Sequence, residues 1–293
     1  MPIVDGVPAR EGVLERPGAS IHFQVFGDGG PAIVLLPTWS LVHTDFWRWQ
    51  VPHLDGRFRV VAFDGRGNGR SSRPTAAADY ADDLFAEDAL AVMDELEIDE
   101  ATLLSNSAGA AWQLILAAEH PDRVAAAVFL APSLPLGTRL PERAAASAHF
   151  DEPQKAYDGW LKYNRHYWHA DWSGFLEFFF SRCFTEPGSE EEIRHFVSMG
   201  LETDPQTIVL TVEGRSLDRR RAEALARSVT CPVLVIHGAD DAISSVTIGT
   251  ELAGLTKAEL AVLPLVGHEP QSRWPTQVNA MLDAFLARHV PAR

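Results

Sequence analysis

The chain holds only two cysteines in 293 residues, Cys183 and Cys231, and they lie far apart in sequence. That is too few for a disulfide framework, and two separate free thiols suit a reducing, cytoplasmic setting. No apolar run reaches 18 residues, so no membrane span is expected. The Met1–Arg10 stretch lacks the apolar centre of a secretory signal. Basic residues are in deficit: 25 Lys and Arg against 40 Asp and Glu leave a formal net charge of −15. That balance argues against a broad nucleic-acid-binding or anionic-membrane surface, but leaves room for a local basic patch. Internal repeats are also absent.

Two further absences concern cofactors. Asp64-Gly65-Arg66-Gly67-Asn68-Gly69-Arg70-Ser71 is glycine-rich but fits neither G-x-G-x-x-G nor a P-loop, which ends in Gly-Lys-Ser/Thr. It reads as a tight turn in which Asp64 or Arg66 braces neighbouring loops. His166 and His169 could share a helix face, with His195 further on, but no third ligand is evident and no metal is expected.

With 46% hydrophobic and 22% charged residues, the composition is that of a globular protein with ample material for a core. Short apolar runs predict buried strands at Ala32–Leu36, Phe58–Phe63, Ala101–Leu104, Val124–Leu130, Pro232–His237 and Ala258–Pro264. Helix-like stretches separate most of them: Tyr80–Leu96, Ala108–Glu119, Asp218–Ser228 and Pro275–His289. Alternation of this kind predicts an α/β fold with a mainly parallel sheet covered on both faces. Ser20–Phe26 and Gly12–Glu15 read as an antiparallel edge. Between about Pro135 and Arg215 the alternation stops, and helix-like pieces crowded with aromatics take over. The expected domains are therefore a core of residues 1–134 and 216–293, with a helical insertion at 135–215 over the carboxyl ends of the strands. Its aromatics either fill a small core of their own or also line a ligand cavity. Thr38, Trp168, Trp172 and Phe179 are the candidate substrate-binding residues.

The chemistry centres on Ser105-Asn106-Ser107-Ala108-Gly109, a relaxed G-x-S-x-G placed where a strand meets a helix. Small residues two before and two after Ser107 are what a strained strand-to-helix turn needs to hold one side chain up into a cleft. A serine alone is a poor nucleophile; it needs a base, and the base needs an orienting group. His268, after Leu263-Pro264-Leu265-Val266-Gly267, is the candidate base. Asp241, after the strand ending at Gly238, is the candidate acid, preferred to Asp240 for its offset from Gly238. His237 ends the strand before that acid and is expected to pack or cap there. The order Ser107, Asp241, His268 is the one used by serine hydrolases built on such an elbow. Backbone N–H groups of Ala108 and of Trp39, or alternatively Thr38, are expected to form the oxyanion hole.

These segments, together with Leu35-Leu36-Pro37-Thr38-Trp39, resemble the α/β-hydrolase superfamily over almost the whole chain. The resemblance implies an eight-stranded, mostly parallel sheet with a helical cap inserted after strand six, and no cofactor. Two departures stand out. Many members carry His-Gly where this chain has Pro37-Thr38, and Ser105 replaces the first glycine of the elbow. The expected activity is hydrolysis of an ester, thioester or lactone of an apolar small molecule through an acyl-enzyme. Relatives with the same residues also cleave carbon–carbon bonds, transfer or cyclise acyl groups, or form peracids. Epoxide hydrolases and dehalogenases place an aspartate where Ser107 stands. A non-catalytic binding protein on this scaffold is the alternative of a different class. Exposed apolar cap surface would serve either a pocket mouth or a homodimer interface.

Overall fold

A computed structural model describes residues 8–290; most of the Met1–Arg10 stretch therefore lies outside the described residues. Eight strands form one sheet: β1 (Arg10–Arg16), β2 (Ala19–Phe26), β3 (Ala32–Leu35), β4 (Arg59–Phe63), β5 (Ala101–Asn106), β6 (Val124–Leu130), β7 (Val233–Gly238) and β8 (Glu259–Leu263). Their spatial order is β1-β2-β4-β3-β5-β6-β7-β8. The first two joins, β1–β2 and β2–β4, are antiparallel, and the remaining five are parallel. Central strands β5 and β7 are buried at every position, which is why they read as continuous apolar runs rather than alternating ones. Edge strands β1 and β8 carry exposed positions instead.

Among the described residues twelve α-helices surround the sheet. Before the insertion come α1 (Val51–Leu54), α2 (Asp82–Glu95) and α3 (Gly109–Glu119). Between β6 and β7 lie α4 (Pro141–Ala148), α5 (Arg165–Ala170), α6 (Trp172–Cys183), α7 (Glu190–Gly200), α8 (Pro205–Glu213) and α9 (Arg219–Ser228). After β7 come α10 (Val246–Thr256), α11 (Pro270–Arg273) and α12 (Pro275–His289). One face of the sheet packs against α2, α3, α9 and α10; the other packs against α1 and α12 and is continuous with the aromatic core under α5–α8. Several helices start on the side chain the sequence offers for that purpose. Asp171, Asp204 and Asp218 accept from the amides of Gly174, Thr207 and Arg221.

The glycine-rich segment after β4 is a turn, and both of its candidate braces are engaged. The Asp64 carboxylate accepts from the amides of Thr44, 3.0 Å, and Arg70, 2.9 Å. Arg66 is fully buried and forks onto Asp88 at 2.6 and 2.9 Å. Gly69 has φ of 57°, and a Cβ there would lie 2.4 Å from the Asp64 carboxyl carbon. Thr44 starts the 3-10 turn Thr44–Trp47, so Asp64 fixes the far end of the loop that follows β3.

Candidate active site

β5 delivers Ser107 at the sheet's carboxyl edge. Its φ is 51°, in the left-handed region, a conformation that costs a non-glycine residue on the order of 1–3 kcal/mol. Neighbouring backbone holds it there: the Ser107 amide donates to the Leu130 carbonyl at 3.1 Å, and its carbonyl accepts from the Ser133 amide at 2.9 Å. The small residues around the serine have separate reasons. A Cβ on Gly109 would lie 2.3 Å from the Pro37 carbonyl oxygen, so α3 can approach the loop after β3 only with glycine there. Ser105 is buried with its hydroxyl unpartnered, a small side chain under the turn rather than part of a network.

His268 is in the loop after β8, and its Nε2 lies 2.8 Å from Ser107 Oγ. On the other side of the ring, Nδ1 lies 2.7 Å from Asp241 Oδ2. An ionised carboxylate only accepts, so Nδ1 carries the proton and Nε2 is free to accept from the serine hydroxyl. Oδ1 of Asp241 accepts from the amides of Ile243 and Ser244, both at 2.8 Å. Burial pushes against charge on both partners, but their mutual attraction outweighs it. Asp241 is held well below the carboxylate range by the charge of His268 and by hydrogen bonds from His237 and His268. His268 is in turn raised above its ordinary value by Asp241. Asp240, the alternative acid, is exposed.

The contacts of His237 are not legible in the sequence. This fully buried residue does not merely pack at the strand end. Its Nε2 donates to Asp241 Oδ2 at 3.1 Å and to the Ser244 carbonyl at 2.9 Å. The available signal was a histidine four residues before an acid at a strand end, which apolar patterning obscures.

The helical insertion holds the histidine loop. The His268 amide donates to the Cys183 carbonyl at 2.8 Å, and the Gly267 amide donates to Glu186 Oε1 at 2.8 Å. A Cβ on Gly267 would lie 2.7 Å from the Cys183 carbonyl oxygen. Burial, reinforced by the Asp241 and Glu186 charges, pushes the neighbouring Glu269 up to about 7, although His268 and Gln271 oppose the shift.

The amides of Trp39 and Ala108, the expected oxyanion donors, make no hydrogen bond to a protein acceptor among the described residues. The Trp39 indole donates to Thr211 Oγ1 at 2.8 Å and packs edge-on to Phe179, with ring centroids 5.3 Å apart. The insertion thus grips this loop too.

Beside the serine lies a cavity of about 470 Å³. Trp39, Ala108 and Ser133 line it next to the elbow, with Phe150, Tyr163 and Arg143 further along. The candidate substrate-binding residues Thr38, Trp168, Trp172 and Phe179 do not line this cavity. Trp168 is fully buried among Phe150, Tyr163 and Phe175, and the Trp172 indole donates to the Gly200 carbonyl. Their apolar faces are used up within the helical layer and, for Trp168, against Trp39. Among the described residues no group of three or more His, Cys, Asp or Glu side chains could hold a metal ion, and no helix is long and apolar enough to cross a membrane. His195 instead pairs with Asp45 at 3.0 Å.

A family model described as the alpha/beta hydrolase fold matches residues 31–272. The 2-hydroxymuconate semialdehyde hydrolase of Pseudomonas sp. (strain CF600) is 29% identical over 278 residues, covering 94% of this chain and 89% of the relative. The 3-oxoadipate enol-lactonase 2 of Acinetobacter baylyi is 24% identical, covering 94% and 96%. The crystal structure of the enol-lactonase from Burkholderia xenovorans LB400 superposes with a TM-score of 0.76 at 23% identity, covering 94% and 100%; at that identity the likeness speaks for the fold alone. With the family model spanning most of the sequence and sheet, the chain belongs to the α/β-hydrolase fold family of enzymes.

Proposed function

We propose that this protein is a serine hydrolase that cleaves a carboxylic ester, thioester or lactone of a largely apolar small molecule through an acyl-enzyme. The observation that carries this reading is the continuous chain from Ser107 Oγ through His268 to Asp241, with contacts of 2.8 and 2.7 Å. Ser107 Oγ attacks the carbonyl carbon while its proton passes to His268 Nε2. Negative charge builds on the carbonyl oxygen, where the amides of Trp39 and Ala108 stabilise it. Asp241 keeps the proton on Nδ1 and stabilises the imidazolium. The tetrahedral adduct collapses, and His268 gives its proton to the departing alcohol or thiol. Water then repeats the sequence: His268 takes its proton, hydroxide adds to the acyl carbon, and Ser107 leaves with the proton returned. The charge-balanced cycle uses these side chains, the two backbone amides and water. The relatives named as a hydrolase and an enol-lactonase support the choice of reaction class.

The experiment is pre-steady-state hydrolysis of a p-nitrophenyl ester. A stoichiometric burst of p-nitrophenolate is expected, and Ser107→Ala should lower kcat by about 10⁶, as loss of a nucleophile from such a unit does. Comparable turnover by Ser107→Ala would refute the acyl-enzyme.

A further inference from the structure

The cavity beside Ser107 contains an uncompensated cluster of positive charge in a protein whose formal net charge is −15. Arg139, Arg143 and Arg215 all line it. Arg139 follows β6, Arg143 lies on α4, and Arg215 follows α8, so both ends of the helical insertion contribute. Arg139 and Arg215 are exposed and Arg143 is half-buried, which runs the cluster from the surface inward. Most other arginines of this chain are paired: Arg66 with Asp88, Arg165 with Asp151 and Glu213, and Arg221 with Asp83 and Glu119. The three in the cavity form no ion pair with any described residue.

The two acids that share the lining are already committed. Asp82 accepts from the Trp112 indole and from the amides of Ser216 and Leu217. Asp151 is paired with Arg165. Of the five donors on the Arg143 guanidinium, one reaches the Ile243 carbonyl, at 2.5 Å. Its central carbon lies 5.6 Å from the Trp160 ring centre and 5.9 Å from that of Tyr163, and Arg215 lies 5.8 Å from Trp39. Aromatic faces hold the guanidinium planes without neutralising them. Burial is the main cause that weakens the proton affinity of Arg143; the Arg215 charge adds to it, and Tyr163 and the more distant Asp241, which forms no ion pair with Arg143, oppose it without reversing it.

A half-buried cation without an anion is costly, so the cavity is built for one that arrives from outside. We propose that Arg139, Arg143 and Arg215 bind a carboxylate on the substrate, whose scissile carbonyl lies at the Ser107 end of the same cavity. The substrate class is then an ester, thioester or lactone with an apolar body and a free carboxylate at its far end. A planar guanidinium fork matches a carboxylate through two parallel hydrogen bonds, and the aromatic walls take the carbon chain. This assignment rests on the serine-hydrolase reading for the reaction, but not for the binding of the anion.

The test compares two esters of the same adipoyl chain: p-nitrophenyl hydrogen adipate, with a free carboxylate, and p-nitrophenyl methyl adipate, in which a methyl group caps it. The wild-type kcat/KM should favour the free acid by at least about tenfold, what one charge-assisted hydrogen bond supplies. The preference should shrink as salt is raised. In the double variant Arg139→Gln/Arg215→Gln the ratio of the two kcat/KM values should fall towards unity, whatever happens to either value. Equal or better hydrolysis of the capped ester by the wild type, or an unchanged ratio in the double variant, would overturn the proposal. Titration of Ser107→Ala with adipate by calorimetry reads the anion site without turnover. Binding that the same two substitutions abolish supports the site even if neither ester is cleaved, in which case only the hydrolase reading fails. No binding, or binding that survives both substitutions, overturns it.

Discussion

His237 and His268 share one oxygen of Asp241: Nε2 of His237 lies 3.1 Å from Oδ2, and Nδ1 of His268 lies 2.7 Å from it. The carboxylate is therefore oriented from two sides, and in the proposed mechanism His237 is a positioning residue that acts through it. Replacing His237 by Leu removes the donor at similar volume and should lower kcat about tenfold, with KM little changed. Without that donor the carboxylate acts more strongly on His268, so the acidic limb of the pH–rate profile should move to higher pH. His237→Gln, which restores an N–H, should recover part of the rate. A limb that stays in place in His237→Leu would reduce His237 to packing.

The Asp241→Asn variant should lose about 10⁴ in kcat, because it imposes the wrong tautomer. The amides of Ile243 and Ser244 both donate to Oδ1, so the amide oxygen must stay there. The new NH₂ group then faces His268 Nδ1 and His237 Nε2 and demands acceptors from both. Steady-state kinetics with a circular dichroism control for folding checks this.

Gly267 transmits the position of the helical insertion to the base. In Gly267→Ala the added methyl meets the Cys183 carbonyl oxygen at 2.7 Å, a backbone atom that cannot swing away. The histidine loop must shift, and a displacement of about 1 Å costs about 10²-fold in rate. Glu186→Ala, which removes the acceptor of the Gly267 amide, should show a smaller loss of the same kind, and Glu186→Gln should recover it. The inactivation rate by a fluorophosphonate measures both.

The pH dependence of activity and of stability have different sources. In the proposed mechanism activity requires neutral His268, whose proton affinity Asp241 raises, so kcat/KM should climb with pH through an ionisation above 6.5, the ordinary imidazole value. Stability responds to Glu269, pushed up from 4.5 to about 7 in the folded protein. The folded state binds this proton more tightly than the unfolded chain, so the contribution is full below 4.5 and is lost as pH rises to about 7. Glu269→Gln should remove a loss on the order of 3 kcal/mol across that window. Denaturant unfolding at pH 5 and pH 8 would show the wild type weakening more than the variant.

The sheet and the members of the Ser107–His268–Asp241 arrangement were legible because each carries a local signal, a strand run or a place just past a strand end, although Ser107 and His268 lie 161 positions apart. Buried parallel strands read as unbroken apolar runs, and an elbow needs small residues at fixed offsets from Ser107. The cavity was not legible for the opposite reason. Arg139, Arg143 and Arg215 span 77 residues of loop and helix, with no periodicity to group them. Only the folding back of the insertion brings them together. Trp168, Trp172 and Phe179 illustrate the converse. An aromatic stripe marks a face that will be buried, but a helix packed between others has two sides to bury. Here these residues turned to their neighbours in the insertion and, for Trp168 and Phe179, to Trp39 in the loop after β3. His237 escaped notice because a histidine at the end of an apolar strand looks the same whether or not it bonds to an acid.

Whether Ser107 is the nucleophile is decided by mass spectrometry after treatment with a fluorophosphonate. One adduct per chain is expected, carried by the peptide containing Ser107 and absent from Ser107→Ala and from heat-denatured protein. An unmodified wild-type protein, or an adduct on another residue with Ser107 free, would contradict it.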